Sequence, residues 1–542
     1  MLTLTRRNAI TIIASVLAIA FGFEQARLIF TFLGRYTNED HAILWLAASD
    51  WARLRPHEPT FYGQPYGVNF EAIPMALFRA LDCSYGMAFP VALIAMASLA
   101  WLLLAWAALR RGAFLLVVAA VAMPVLLNLE HWIIVGVIGT GVGRLLAAVG
   151  VVLALREKHT PWHAFAVVCV TSLAVMLDTA AATLALPALV WAGWGFPLRR
   201  RLLPMWLGAA LGVVPAIAWR LYNDWFNRAY PDHVLHPPPT FDPTWRILME
   251  NMEKPDRLFA QQAFELAPKG WVVLALLALC WLITLGARAY RELIAATCAC
   301  ALVLGLASLP KAMDSYNCIW LPSARMSLTT PMALWFCGLM AYFALRERIL
   351  WRDRSLVQTV VAVVLVLCCW TVGVRARDWD IRLAPILRAG LGEGRLPLRR
   401  VDDVERVCRE ANDAASEAQT NIVVFPNDRS AAYGCPAIYR KMLTAHPGYE
   451  RRFWVLRRLA ALQATRMLVW GLAGDTCKQK RVRRAFEHCT PVANGQAMRF
   501  DFQTKPALEA MLPLGLNPRP FGPGCNPHDR DATCKWWAEH YR

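Results

Sequence analysis

The sequence predicts a mainly α-helical, polytopic membrane protein of about eleven transmembrane helices, with a small α/β domain at its C-terminal end. Three observations predict it. Of the 542 residues, 57% are hydrophobic and only 18% are charged, with a mean hydropathy of +0.36; a soluble chain carries about 25% charge. The apolar residues fall in runs of about 17–25, the length a helix needs to cross a hydrocarbon core of ~30 Å. The net charge of +18 sits largely in short loops between those runs, a positive-inside pattern rather than a basic face for nucleic acid.

The runs lie near 9–33, 87–108, 113–129, 132–155, 162–177, 179–196, 203–221, 271–287, 292–309, 324–345 and 356–374. The first is too long for the apolar core of a cleaved signal and no small-x-small site follows it, so it is expected to be a signal anchor. Arg6-Arg7, Arg110-Arg111, Arg156/Lys158, Arg199-Arg200-Arg201, Arg288/Arg291 and Arg346/Arg348/Arg352/Arg354 all fall on one face if the runs alternate, and that face is cytoplasmic. The alternation requires 162–196 to be two short helices turning at Asp178. The N-terminus is then cytoplasmic and the tail, from about Arg375, outside. The expected organisation is a membrane domain at 1–374 and an extracytoplasmic domain at 375–542.

In the tail, Val401–Ala418 and the basic stretch Arg451–Leu462 read as helices. Asn421–Phe425, Met467–Trp470 and Gln496–Phe502 read as short strands, hence an α/β domain. The tail holds Cys408, Cys435, Cys477, Cys489, Cys525 and Cys534. An even number in an outward-facing domain predicts three disulfides. Sequential pairing closes the shortest loops, although the spacing leaves the connectivity open. No C-x-x-C pair marks a zinc site. The remaining cysteines lie mostly inside apolar runs, where a thiol behaves as a small hydrophobe.

The outer loop at 34–86 is the most informative segment. It begins Thr37-Asn38-Glu39-Asp40-His41 and continues to Leu54, with Leu44, Ala47, Trp51 and Leu54 on one helical face and Asp50 and Arg53 away from it. Such a helix is expected to lie in the membrane interface. Phe61-Tyr62-Gly63-Gln64-Pro65-Tyr66-Gly67 follows as a turn-rich aromatic stretch. Two carboxylates thus stand where the first span leaves the membrane, placed to act as a general base toward a hydroxyl from the aqueous side. The same residues also read as an Asn38 N-cap followed by acids complementing the helix dipole.

Glu130 and His131 occupy a turn between the third and fourth spans, either as a solvated turn or as a second acid facing Asp40. Asp178 is a third acid at the same level. Arg144 falls within the 132–155 run, where a charge requires a polar cavity or partner, unless the crossing begins later. Gly139-Thr140-Gly141-Val142-Gly143 lacks the preceding strand of a phosphate loop and reads instead as a GxxxG packing face. Lys311 and Arg325 bracket the outer loop before the tenth span, where cations either snorkel or hold a phosphate at headgroup level. G-x-x-x-x-G-K-[ST], H-E-x-x-H and G-x-S-x-G are absent, so no motif points to ATP use, a zincin or a serine hydrolase.

Together these features resemble the GT-C superfamily of polytopic glycosyltransferases that use polyprenyl-phosphate sugars. The resemblance spans roughly 1–345. It rests on an acidic pair after the first helix (Glu39-Asp40), a helix and a Gly/Pro/aromatic segment behind it (Ala42–Leu54, Phe61–Gly67), a second acid in the next outer loop (Glu130), and a late Arg followed by a Pro-containing helix start (Arg325 and Pro331). Two departures stand out. Met326 occupies the place where a tyrosine commonly follows that Arg, and the W-W-D-Y-G motif of oligosaccharyltransferases is absent, against protein N-glycosylation by that route.

The resemblance implies a sugar carried on undecaprenyl or a similar phosphate, delivered from the bilayer to a lipid-linked or cell-envelope glycan acceptor at the periplasmic face of a bacterial inner membrane. Asp40 would deprotonate the acceptor hydroxyl as it attacks C1 with inversion. Glu39 or Glu130 would position the acceptor or help bind a divalent cation, with no further cofactor. Arg325 and Lys311 would hold the donor phosphate, with Arg144 and His131 as further polar groups. A flippase or transporter for a lipid-linked glycan is an alternative, but such proteins commonly show repeated halves and none is evident. A non-catalytic scaffold docking through its tail is another. The sugar, the acceptor and the oligomeric state are not written in the sequence.

Overall fold

The computed structural model describes residues 34–60, 62, 69–126, 141–156, 160–194, 203–230, 270–308, 324–346, 363–370, 399–446, 452–472, 474–502 and 507–511, with scattered positions elsewhere. Along the chain, β1 (Tyr36–Thr37) leads into α1 (Glu39–Trp51), α2 (Ala72–Ala80), α3 (Tyr85–Arg110), α4 (Phe114–Leu126), α5 (Gly141–Ala154), α6 (Pro161–Leu177) and α7 (Ala182–Trp194). There follow α8 (Leu203–Ala229), α9 (Gly270–Gly286), α10 (Tyr290–Ala307) and α11 (Ala324–Leu345). The tail contributes β2 (Arg399–Arg400), α12 (Val401–Glu417), β3 (Ile422–Val424), α13 (Arg429–Ile438), β4 (Leu443–Ala445), α14 (Phe453–Ala461), β5 (Arg466–Trp470), α15 (Lys480–Ala485), β6 (His488–Val492) and β7 (Ala497–Asp501). The chain is mainly helical, with a small sheet in the tail.

The residues form two compact units. One takes Pro90–Arg220 and Thr240–Arg395 with the chain start, and the other takes Leu33–Phe89, Leu221–Pro239 and Leu396–Arg542.

In the first unit α3, α8 and α10 are long and apolar enough to cross a membrane, and α4, α5, α6, α7, α9 and α11 supply shorter apolar helices. The expected spans at 9–33 and 356–374 lie wholly or largely outside the described residues. Along α8, Leu207, Leu211, Val214 and Ile217 are each at least half exposed. An apolar stripe at helical spacing and open to the surroundings suits contact with lipid. The expected turn within 162–196 is present. Asp178 separates α6 from α7, its Oδ1 accepting from the Ala180 N–H at 2.9 Å. Small residues set the packing. A Cβ on Gly143 would stand 2.6 Å from Asp178 Cβ, and one on Gly150 2.7 Å from Thr171 Cγ2. The glycines of α5 therefore form its contact with α6, in line with the packing-face reading; Gly139 is outside the described residues. Trp335 Nε1 donates to the Leu116 carbonyl at 2.9 Å and Tyr342 Oη to the Gly112 carbonyl at 3.0 Å, tying α11 to α4.

In the second unit the sheet runs β4-β3-β5-β7-β6. β4, β3 and β5 are parallel, while β7 runs antiparallel to β5 and β6. β3 (Ile-Val-Val) is buried on both faces, as a parallel strand between crossover helices must be. Ile422, Val424, Met467, Val469, Met498 and Phe500 form its core with Val455 and Leu459 of α14. The three predicted strands and two predicted helices of the tail all occur. β2, β4, β6, α13 and α15 were not predicted. β4 is only three residues long, β6 contains Pro491 and is an edge strand, where proline is tolerated, and α13 carries Gly434 and Pro436, which read as breakers. Disulfides join Cys408 to Cys435 and Cys477 to Cys489, as sequential pairing requires. Cys525 and Cys534 lie outside the described residues.

The expectation for α1 is overturned. It is not an interfacial helix with one apolar face, because every residue from His41 to Asp50 is buried. Ile43, Leu44, Trp45 and Leu46 are consecutive, so apolar side chains point in all directions, and a helix apolar all round is enclosed by protein. His41 lies 4.2 Å from the Phe89 ring and Trp45 stacks on Tyr85 at 5.4 Å. Gly434 of α13 sits against Ala42 and Trp45. The helix stops at Trp51. Leu54, expected on the buried face, is 84% exposed with a φ of 55°.

Candidate active site

The N-terminal end of α1 is built from both ends of the second unit. β1 pairs antiparallel with β2, Tyr36 opposite Arg400 and Thr37 opposite Arg399. The Val401 N–H donates to the Arg35 carbonyl at 2.9 Å. This ladder aims the chain into Asn38, whose Oδ1 caps the helix by accepting from the His41 N–H at 2.9 Å. Glu39 and Asp40 then fall in the first turn, where the helix dipole favours carboxylates. The N-cap reading of Asn38 is therefore correct, and it is the cap that places the two acids.

Glu39 Oε2 meets Arg429 Nη1 at 3.1 Å. Arg429 opens α13, whose cap is Asp428, with Oδ1 accepting from the Ala431 N–H at 3.0 Å. The other oxygen of Asp428 pairs with Arg399 at 3.1 Å. Two acid–arginine pairs thus join β2, α13 and the start of α1. Glu39 keeps only 12% of its side chain exposed while Arg429 keeps 40%, so the pair adds little stability, about 0–1 kcal/mol; its effect is on geometry and local charge. Asp40 is half-buried beside Glu39.

At the other end of α1, Asp50 is buried, and Tyr62 donates to its Oδ2 at 2.8 Å. His57 Nε2 lies 3.9 Å from the same oxygen, and the His57 ring stacks on Trp454 at 4.0 Å. Burial raises Asp50 to about 6, against the opposing pull of the Tyr62 hydrogen bond and of Arg53 and Arg452. Burial, aided by the charge of Asp50, pushes the Tyr62 phenol well up. Arg452 is fully buried, donating to the Thr444 carbonyl at 2.9 Å with its guanidinium 4.9 Å from the Tyr433 ring. His446 follows β4 and is buried; desolvation first, then Arg429, lower it to about 4. A belt of ionisable groups therefore accompanies α1 from Glu39 to Asp50.

Of the residues singled out in the sequence, the structure brings Glu39 and Asp40 together in one turn. Arg144 is in the first unit, near the start of α5 and 1% exposed, immediately after the glycine packed on Asp178. Arg325 is the second residue of α11, with Pro331 inside that helix. Glu130, His131 and Lys311 lie outside the described residues. Among the described residues, no group of three His, Cys, Asp or Glu side chains is gathered to hold a metal ion. Sequence reasoning missed Arg399, Arg429, Arg452, His57 and His446 as parts of this region and named Tyr62 only within the Phe61–Gly67 stretch. The one local signal was Asn427-Asp428 before Arg429, a cap followed by a cation, which is too common to single out.

No family model matches the chain, and no curated protein matches it. Among solved structures it is similar to the crystal structure of ArnT from Cupriavidus metallidurans bound to undecaprenyl phosphate. The identity is 11% and the TM-score 0.49, over 92% of this chain and 98% of that one. It is also similar to the archaeal oligosaccharyltransferase AglB from Archaeoglobus fulgidus in complex with an inhibitory peptide and a dolichol-phosphate. There the identity is 11% and the TM-score 0.40, over 86% of this chain and 70% of that one.

Proposed function

We propose that the chain is a membrane glycosyltransferase. It moves a sugar from a polyprenyl-phosphate carrier to a lipid-linked or cell-envelope glycan at the periplasmic face of a bacterial inner membrane, with 1–374 as the membrane domain and 375–542 as the periplasmic one. The observation that carries the reading is the half-buried acidic pair at the capped start of α1, with Glu39 held by Arg429 at 3.1 Å and Asp40 next to it. Apolar helices of spanning length and the order of motifs shared with the GT-C superfamily support it.

In this reading Asp40 accepts the proton of the acceptor hydroxyl. The hydroxyl oxygen attacks C1 of the sugar, the bond from C1 to the phosphate oxygen breaks on the opposite face, and the polyprenyl phosphate leaves with the bonding pair. The stereochemistry at C1 inverts. Arg325 and Lys311 hold the phosphate and stabilise the charge it gains, with His131 and Arg144 as further polar groups. Glu39 or Glu130 positions the acceptor or helps to bind a divalent cation.

The test is transfer by the purified, reconstituted protein from a panel of radiolabelled polyprenyl-phosphate sugars to an envelope-lipid extract. Wild type should label the acceptor, and Asp40→Asn should lower the rate by at least about a hundredfold, the usual worth of a general base. Equal transfer by both proteins would remove Asp40 from the role of base.

A further inference from the structure

The acids of the proposed site belong to the N-terminal part of the chain, yet the cation against them comes from the tail. We propose that Arg429 is a positioning residue, through which the C-terminal domain sets the geometry of the Glu39–Asp40 pair. For its part in transfer, the inference rests on the reading above.

Four observations carry it. The Arg429 guanidinium meets Glu39 at 3.1 Å. Arg429 is fixed in the first turn of α13 by the Asp428 cap, and Asp428 is itself pinned by Arg399. α13 is held in place on two further sides. The Cys408–Cys435 disulfide joins it to α12, and the Tyr85 hydroxyl donates to the Ala437 carbonyl at 3.0 Å. Gly434 places α13 against Ala42 and Trp45 at ordinary contact distance, on the turn that follows the acids. The guanidinium thus has a rigid mount, and it faces the carboxylate beside the proposed base. A guanidinium held 3.1 Å from Glu39 keeps that carboxylate directed toward α13. Glu39 and Asp40 are successive residues of the first turn, so a pinned Glu39 holds the backbone that carries Asp40. A structural salt bridge at an exposed surface needs none of this support.

Arg429→Gln and Arg429→Lys test the proposal. In the transfer assay Arg429→Gln should lower kcat by about tenfold or more with KM changed by less than about twofold, as expected when orientation rather than binding is lost. Arg429→Lys should recover part of that loss at an unchanged melting temperature. Wild-type kcat in Arg429→Gln would overturn the proposal, as would a loss in which kcat follows the folded fraction.

A second readout does not depend on transfer. Water-soluble carbodiimide reaches only accessible carboxyls, so in Arg429→Gln the loss of a pair worth up to about 1 kcal/mol should free Glu39 and speed its amidation about threefold. Equal labelling rates in wild type and variant would overturn the proposal. If wild type transfers no sugar from any donor, the transferase reading fails by itself, and labelling still decides whether Arg429 governs Glu39.

Discussion

Tyr62 donates its phenolic hydrogen to Asp50 Oδ2 at 2.8 Å, joining the loop behind α1 to the last turn of that helix. Asp50 is among the few buried acids in this unit, and this hydrogen bond opposes the desolvation that raises it. The Tyr62 oxygen also accepts from the His57 N–H at 3.3 Å, so a single hydroxyl satisfies two groups.

Removing that hydroxyl is therefore costly. Tyr62→Phe leaves the carboxylate and the His57 amide each short of a partner while keeping the ring in place. The expected loss is about 1–3 kcal/mol, the range for orphaned buried polar groups. Chemical denaturation at pH 7 in detergent micelles reads it, and an unchanged midpoint would show that water replaces the phenol.

The ionisable groups around α1 make a prediction about pH. Burial raises Asp50 from 3.8 to about 6, so between these values the folded chain keeps a proton that the unfolded chain has lost. This group alone makes stability fall as pH rises through that window, by at most about 1.4 kcal/mol per pH unit. His446 acts in the opposite sense. It is lowered from 6.5 to about 4, so the unfolded chain holds the extra proton and stability rises with pH over that range. His57, lowered by burial and then by Arg452 and Arg458, adds to the rising branch. In wild type the branches offset each other. Asp50→Asn removes the falling one and keeps an acceptor for Tyr62, so the variant should lose stability on acidification from pH 6 to 4.5 more steeply than wild type. Parallel stability curves would contradict the assignment.

The Cys408–Cys435 bridge closes a loop with a sequence separation of 27 between α12 and α13. Replacing both cysteines by serine removes that constraint and should cost about 2–5 kcal/mol. Loss should appear as a lower melting temperature and as faster proteolysis of the tail. Reduction of wild type should reproduce both effects, and if it does not, the substitution acts through packing.

In the first unit Gly143→Ala should force α5 away from α6, because the added methyl meets Asp178 Cβ at 2.6 Å and the Asp178 and Ala174 backbones close behind it. Overpacking of this kind costs about 1–3 kcal/mol. Thermal aggregation of the detergent-solubilised protein would report it. Gly193→Ala, where nothing lies within 4 Å, is the control and should melt as wild type does.

The parts of this fold that were legible are those fixed by local pattern. Apolar runs announced the helices, Asp178 announced the turn between α6 and α7, and short β-branched runs such as Ile422–Val424 announced the strands. The acidic pair was legible too, because Asn38, Glu39 and Asp40 form a capped start within three residues. What escaped depended on partners distant in sequence. The environment of α1 was legible in part, since the consecutive Ile43, Leu44, Trp45 and Leu46 are apolar in all directions; what the local pattern could not name is the enclosing partners, α13, Tyr85 and Phe89. The assignment of Leu54 to the buried face failed for a local reason: the helix ends at Trp51 and the backbone turns to positive φ. Arg429 was invisible because an arginine after an aspartate carries no mark of the glutamate it will meet.

That separation has a consequence for how the protein is made. Glu39 and Arg429 are 390 residues apart, and β1 waits almost as long for β2. At about 5–20 residues per second the ribosome delivers the second partner roughly 20–80 s after the first. Throughout that interval Glu39 lacks Arg429. The start of α1 is thus among the last places to mature, and a nascent or prematurely terminated chain lacks the arginine that completes it.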